Sequence, residues 1–270
     1  MNYDPIKYSL GTVFNKSVLL RKIFYLLLDV LLLRAWHIKK AVNTWRKQRS
    51  QSEAFILDAG SGFGQYSYYL ARKCKTWNVL GIDVKQEQIA DCNDFATKIG
   101  YENRMNFIEG DLTKFVSEKP CDMILSVDVM EHILDDVQVF KNFNASLKEN
   151  GMLLISTPSN LGGSDVDDEH DESFIGEHVR DGYSIEEITT KLQEAGFKSI
   201  DATYSYGKAG HISWILSMKL PISLLNVSKL FFILLPFYYC LIFWFCLLLN
   251  AIDVWCKSDA GTGLIVKAYK

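Results

Sequence analysis

Apolar runs of similar length punctuate the first 160 residues: 54–58, 78–83, 104–111, 121–128 and 151–158. They are nearly continuous rather than alternating, which is how strands buried on both faces read. Between several of them the apolar positions recur at helical spacing, at about 64–74, 86–99 and 133–149. A further helix is expected from Ser184, an N-cap residue, with Glu187 completing a capping box. Strand and helix in alternation predict a parallel sheet wound on both faces, with ligands at the carboxyl ends of the strands.

Two apolar segments break this rhythm. From Leu230 to Leu249, 20 consecutive residues carry no charge, among them seven Leu, five Phe and two Ile. Centred in a bilayer, those Leu, Phe and Ile contribute roughly −4 to −8 kcal/mol. Length alone suggests a spanning helix, but a further apolar run follows it at 263–269. Pro221 and Pro236 each suit a first helical turn, so helices are expected at about 221–234 and 236–252, each roughly 20–26 Å long. They form a re-entrant or in-plane pair, flanked by Lys219, Lys229 and Lys257, with Tyr238, Tyr239 and Trp244 as interfacial aromatics. A buried helical cap or a dimer interface is the alternative. The second segment, 18–33, is apolar but carries Arg21, Lys22 and Asp29. Arg34, His37, Lys39, Lys40, Arg46, Lys47 and Arg49 follow it. That pattern suits a helix in the headgroup region of a membrane, or one packed on the core and sealing its pocket. Asp29 and Arg34 argue against a full span.

The strand ends carry the chemistry. The first run closes in Asp58-Ala59-Gly60-Ser61-Gly62-Phe63-Gly64. Glycines at alternate positions permit a tight turn and close approach of a ligand to the backbone, and the following helix would direct its free N–H groups into the same crevice. Dinucleotide sites prefer Gly-x-Gly-x-x-Gly. The acid two residues before the glycines would repel a pyrophosphate and suits a cationic ligand. Asp83, Asp111 and Asp128 close the next three strands, and a carboxylate some 20 residues after the glycine loop is the usual partner of ribose hydroxyls.

Taken together, residues 56–64, Gly81-Ile82-Asp83, Gly110-Asp111-Leu112, Val127 to Ile133 and Leu147 to Leu153 resemble the class I S-adenosylmethionine-dependent methyltransferases of the small-molecule and lipid-modifying type. The resemblance covers about residues 54–206 and returns at 263–269. It implies a doubly wound, seven-stranded, mostly parallel Rossmann-like sheet with an antiparallel last strand, preceded by a helical membrane-associating insertion. It also implies S-adenosylmethionine as donor, with S-adenosylhomocysteine as product. Carried over by position, Gly60, Ser61, Gly62 and Gly64 line the methionine part, and Asp58 lies under the loop near the sulfonium and amino end. Asp83, with Val84 beside it, takes the ribose hydroxyls. Asp111 and the Leu112 backbone meet the adenine, and Asp128 and Val129 floor the pocket. The expected organisation is N-terminal amphipathic and basic helices over 1–50, a methyltransferase core over 51–206 and 263–270, and an apolar helical insertion over 207–262.

Composition narrows the partners. A formal charge of −3 gives no basic footprint, so nucleic acid is not expected. Six cysteines show no paired or metal-like spacing and read as free thiols. The start lacks the n-region and cleavage site of a signal peptide, which places the catalytic part at the cytoplasmic face of a membrane. Residues 165–172 are an acid-rich loop that reads as a solvated lid, without ligand spacing for a metal. Glu177-His178-Val179-Arg180-Asp181-Gly182-Tyr183 then faces the acceptor mouth expected of this fold. His178 is the candidate general base, Arg180 the holder of an anionic head group, and Tyr183 a further candidate. His132, just past the fourth strand, is the rival base. The expected acceptor is amphiphilic and delivered from the bilayer: a lipid, a prenylated ring or a lipid-linked intermediate. The oligomeric state is left open. Two rivals stand beside this reading, a non-catalytic membrane-bound adaptor and an NAD-dependent oxidoreductase.

Overall fold

A computed structural model describes residues 17–162, 179–228 and 230–270. The chain begins with helices α1 (Val18–Leu31) and α2 (Leu33–Gln48), then alternates β1 (Ala54–Ala59), α3 (Gln65–Lys73), β2 (Trp77–Asp83), α4 (Gln86–Lys98), β3 (Met105–Glu109) and β4 (Cys121–Val127). After a 3₁₀ turn at Met130–His132 come α5 (Asp136–Ser146), β5 (Leu147–Pro158), α6 (Ile185–Glu194) and β6 (Ser199–Ser205). The apolar insertion holds α7 (Lys208–Trp214), a π turn at Ile215–Lys219, α8 (Leu220–Val227) and α9 (Phe231–Trp255), before β7 (Gly263–Tyr269). The sheet order is β3-β2-β1-β4-β5-β7-β6, with β7 antiparallel to both neighbours and the β3-β2-β1-β4-β5 pairings parallel. This is the seven-stranded Rossmann-like sheet that the resemblance implied.

Its middle is dry because the central strands are apolar on both faces. Leu57, Ile124, Leu125, Leu153 and Leu154 are fully buried, each stabilising the fold by about 1.5–3 kcal/mol relative to exposure. Strand β5 starts four residues earlier than its apolar run, through a register shift against β4 between Cys121 and Met123. Ser184 does cap α6, accepting from the Glu187 N–H at 3.0 Å. The Glu187 carboxylate turns to Lys191 at 2.8 Å instead of closing the box.

The N-terminal helices pack on the sheet. Of the two readings of segment 18–33, the side that carries Arg21 fits packing on the core. Its guanidinium is buried, donating to the Tyr25 hydroxyl at 2.7 Å, to the Asp91 carbonyl at 2.8 Å and to the Phe63 carbonyl at 3.0 Å. It also lies 4.7 Å from the Phe95 ring centroid. A cation so fully paired tolerates burial. The opposite face of α1, with Leu19, Ile23, Leu26 and Leu27, stays exposed, so the helix both seals the core and presents a greasy surface.

The insertion is a helical hairpin, and its break is not where proline placement suggested. Helix α9 runs through Pro236 without interruption, and the two helices of the hairpin are parted between Val227 and Phe231. Proline costs that helix only the bond to the carbonyl four residues back, near its start. Pro221 leaves a larger mark. Its missing N–H frees carbonyls one turn earlier, where the π turn lies, and α9 supplies the replacements. Tyr238 donates to the Leu216 carbonyl and Tyr239 to that of Ser217, both at 2.7 Å. These tyrosines, expected as interfacial aromatics, are thus spent inside the hairpin. Its outer stripe is bare: Phe237 is 70%, Leu241 80% and Trp244 72% exposed. Ser205 and Gly263, which flank the insertion, are register partners across β6 and β7, so the hairpin leaves and rejoins the sheet at one place.

Candidate functional site

The carboxyl ends of β1, β2 and β4 meet in a crevice, where the order of strands reverses on either side of β1. At its centre the glycine turn is held by its own neighbours. Gly60 and Ser61 both donate their N–H to the Ile82 carbonyl, at 2.8 and 2.9 Å. Gly62 donates to the Asp83 carboxylate at 2.8 Å, whose other oxygen accepts from the Lys85 N–H at 3.0 Å. The N–H groups of these three turn residues are therefore all taken within the protein. What the turn offers instead is a carboxylate with lone pairs to spare, carbonyl oxygens, and the Ser61 hydroxyl, which is buried without a protein partner. An orphaned buried hydroxyl costs about 1–3 kcal/mol, a cost that a polar ligand removes.

The shape of the turn requires glycine. Gly60 has φ +76°, and a Cβ there would lie 2.3 Å from Val129 Cγ2. Gly64, at φ +75°, opens α3. At Gly62, φ +49°, an added Cβ would meet only Gln88 at 3.9 Å, so the crevice is roomy on that side. Asp58 lies beneath the turn, 2% exposed. It accepts from the Ser67 hydroxyl at 2.6 Å. Burial pushes its carboxyl up to about 6 against the pull of the Ser67 hydrogen bonds.

Around this centre the other strand-end residues divide. Val84 is exposed beside Asp83. Asp111 is half exposed, its carboxylate accepting from the Thr113 N–H at 2.9 Å and hydroxyl at 2.7 Å. Those bonds hold it below the usual carboxylate range. Leu112 is buried, and its carbonyl accepts from the Asn142 amide at 2.9 Å. Asp128 has φ +51° and forms an ion pair with Arg34 of α2, while Val129 braces Gly60. The first turn of α2 is therefore tied to the end of β4.

The acceptor-side expectations fare unevenly. His178, with the acid-rich stretch 165–172, lies outside the described residues. Arg180 and Tyr183 are corrected. Arg180 pairs with Asp136 and donates to the Ile133 and Leu134 carbonyls at 2.6 and 3.1 Å. Tyr183 is fully buried, its hydroxyl bonded to Asp136 at 2.7 Å and to the Met130 carbonyl at 3.1 Å. Burial first, then the Asp136 carboxylate, drive its phenol well above the usual range. Together with Lys191, 2.8 Å from Asp136, they tie the returning loop to the start of α5. Chain-neighbour reasoning missed this because Asp136 lies 44 residues upstream.

His132 is half-buried in the 3₁₀ turn, beside a residue that the sequence reading passed over. Glu131 is 1% exposed and accepts from the Thr157 hydroxyl at 3.1 Å. Burial and the nearby Asp128 charge hold its carboxyl well above the usual range. The signal was available in Asp128-x-x-Glu131-His132, where a tight turn brings three titratable groups to one strand end. Among the described residues there is no cluster that would hold a metal ion.

Known proteins agree with this architecture. Residues 50–199 match the family model described as a methyltransferase domain. A phosphoethanolamine N-methyltransferase 1 of Triticum aestivum is 31% identical over 151 residues, covering 54% of this chain and 29% of the relative. A ubiquinone biosynthesis O-methyltransferase of Rickettsia felis is 31% identical over 106 residues, covering 39% and 42%. The chain thus spans less than half the length of these curated relatives. Among solved structures, a Haemonchus contortus phosphoethanolamine N-methyltransferase 2 in complex with S-adenosyl-L-methionine superposes with a TM-score of 0.59 at 17% identity, covering 92% of this chain and 60% of that one. With the orphaned Ser61 hydroxyl, the glycine cradle and the carboxylates of Asp58 and Asp83 fitting a cationic nucleoside, the chain belongs to the class I S-adenosylmethionine-dependent methyltransferases.

Proposed function

We propose that this protein transfers the methyl group of S-adenosylmethionine to an amphiphilic acceptor that resides in a membrane, from the cytoplasmic face. The observation that carries the reading is the apolar hairpin, rooted where β6 and β7 meet and adjoining the helix that is tied to the end of β4. Among the described residues α9 is the one helix long and apolar enough to cross a membrane. It sits in an insertion whose two ends are neighbours in one sheet, which supports a monotopic reading in which the chain enters and returns on one side.

When bound, the donor supplies an electrophilic methyl on a sulfonium, and the protein's task is to align it and exclude water. In this assignment Asp83 binds the ribose hydroxyls with Val84 against the base, and Asp111 with Leu112 lies toward the adenine. Ser61 and the glycine carbonyls line the methionine part, and Asp58 supplies negative charge beneath it. Asp128 and Val129 form the floor. On the acceptor side, this assignment gives His132 and its neighbour Glu131 the holding or moving of a proton. A base is needed only if the acceptor is a hydroxyl or an acidic carbon.

The nicotinamide alternative is disfavoured by the glycine turn itself. A pyrophosphate needs free N–H donors, and those of Gly60, Ser61 and Gly62 are taken by Ile82 and Asp83. Two measurements on the full chain test the proposal. Calorimetry is expected to show S-adenosylhomocysteine binding and no heat with NAD; the reverse would overturn the donor assignment. Flotation with phospholipid vesicles is expected to carry the protein upward, and protein left at the bottom of the gradient would remove the bilayer from the account. Donor binding without turnover on any membrane extract would leave the adaptor reading.

A further inference from the structure

A chain of polar contacts runs from the base of the hairpin to the crevice. Asp253, in the last turn of the apolar helix α9, is buried with its side chain 3% exposed. It accepts from His37 Nε2 at 2.8 Å, from the Tyr206 N–H at 3.2 Å and from the Gly210 N–H at 3.1 Å. Tyr206 is held at φ +55°, a conformation that costs a non-glycine residue about 1 kcal/mol or more and persists only where its surroundings fix it. Its hydroxyl accepts from the Arg34 N–H at 3.2 Å, and the Arg34 guanidinium pairs with Asp128 at the floor of the crevice.

The packing around this chain leaves little slack. A Cβ at Gly210 would lie 2.5 Å from Leu33 Cδ2 and 2.6 Å from Asp253 Oδ2. Lys40 donates to the Val254 carbonyl and lies 4.7 Å from the Trp255 ring centroid. The hairpin base, the start of α7 and helix α2 are therefore packed tightly together, and Arg34 lies on that helix. Beyond that base the outer stripe of the hairpin stays largely exposed among the described residues.

We infer that Asp253 and Tyr206 are positioning residues through which the hairpin sets the Arg34–Asp128 latch over the donor site, so that seating the hairpin in a bilayer tightens donor binding. The inference rests on the bilayer reading proposed above and adds its consequence for the donor. A bilayer can shift this equilibrium only by binding the latched arrangement better than the open one. The base supplies that difference, because it is where a fixed hairpin meets α2.

The test uses the full chain, S-adenosylhomocysteine calorimetry, and vesicles of phosphatidylethanolamine with phosphatidylglycerol. In the wild type, vesicles are expected to tighten donor binding about fivefold, the lower end of ordinary coupling between two sites. Tyr206→Phe removes only the hydroxyl under Arg34, and Asp253→Asn weakens the base. Both variants are expected to co-sediment with vesicles as the wild type does while their donor affinity shifts by less than about twofold. Without vesicles, Asp253→Asn and Arg34→Gln are expected to weaken binding non-additively, which a merely structural loss at two sites would not do. Variants that keep the full shift, or strictly additive losses, would overturn the inference. Wild-type protein that sediments with vesicles yet shows no shift would overturn it too. Failure to sediment would instead strike the bilayer reading, leaving the double-mutant cycle to decide the Asp253–Arg34 coupling.

Discussion

Strand β4 and helix α9 are both almost wholly apolar, and the chain treats them oppositely. Every residue of β4 from Cys121 to Ser126 is buried, with β1 on one side and β5 on the other. Along α9, Phe237, Leu241 and Trp244 are 70%, 80% and 72% exposed. The difference lies in what each element can pair with. A strand shares its hydrogen bonds with neighbours and so comes with a roof and a floor of helices. A helix satisfies its own backbone, and its side chains need a partner only if one is at hand. Apolar content therefore marked both segments, while backbone pairing decided which one became core and which became surface.

Substitutions can break one region while sparing the other, and the largest effect is expected at the glycine turn. Gly60→Ala would force a Cβ to within 2.3 Å of Val129 at φ +76°. Loss of donor binding and a stability drop of about 1–3 kcal/mol in denaturant unfolding are expected, with vesicle flotation of the folded fraction unchanged. Next comes Asp83→Asn, which leaves the Gly62 N–H an acceptor but removes the charge. S-adenosylhomocysteine affinity is expected to fall by about 10- to 100-fold, the worth of a charged hydrogen bond, with little change in melting temperature.

A smaller effect should follow pH. The donor's amino end favours ionised Asp58, which protonates near 6 because burial raises it. Donor affinity is expected to fall as pH drops through that value, by at most about tenfold per unit, and Asp58→Asn should flatten the profile. The stability sign is opposite. A raised carboxyl contributes stability to the empty protein that is present below its ordinary value of 3.8 and lost as pH rises through about 6. The smallest change belongs to the hairpin. Phe237→Ser with Leu241→Ser should weaken vesicle binding about fivefold, because the favourable transfer of the two apolar side chains is lost. Vesicle-free donor affinity and unfolding midpoints should move by less than about 0.5 kcal/mol.

The comparison also explains what the sequence revealed. The strand ends were legible because buried strands are uninterrupted apolar runs, and their acids and glycines fall where a turn must begin. Asp58, Gly60, Asp83 and Val129 meet in the structure for that local reason. Strand β6 was harder, since Ser199–Ser205 carries polar residues on a half-buried edge and reads as no run at all. The roles of Arg21, Arg34, Tyr183 and Asp253 depend on partners 42 to 216 residues away in the chain, which periodicity does not encode. Proline placement misplaced the hairpin turn because Pro236 tolerates a helix start and Pro221 found its substitute donors on the opposite helix.

The central claim is that the crevice acts on a molecule delivered from lipid. Deuterium-methyl S-adenosylmethionine, incubated with the full chain and isolated membrane vesicles and followed by untargeted mass spectrometry of the organic and aqueous phases, tests it most directly. The account predicts label in an organic-soluble species, lost with Asp83→Asn and reduced when Phe237 and Leu241 are replaced by serine. Label confined to a water-soluble amine, formed equally fast without vesicles, would contradict it.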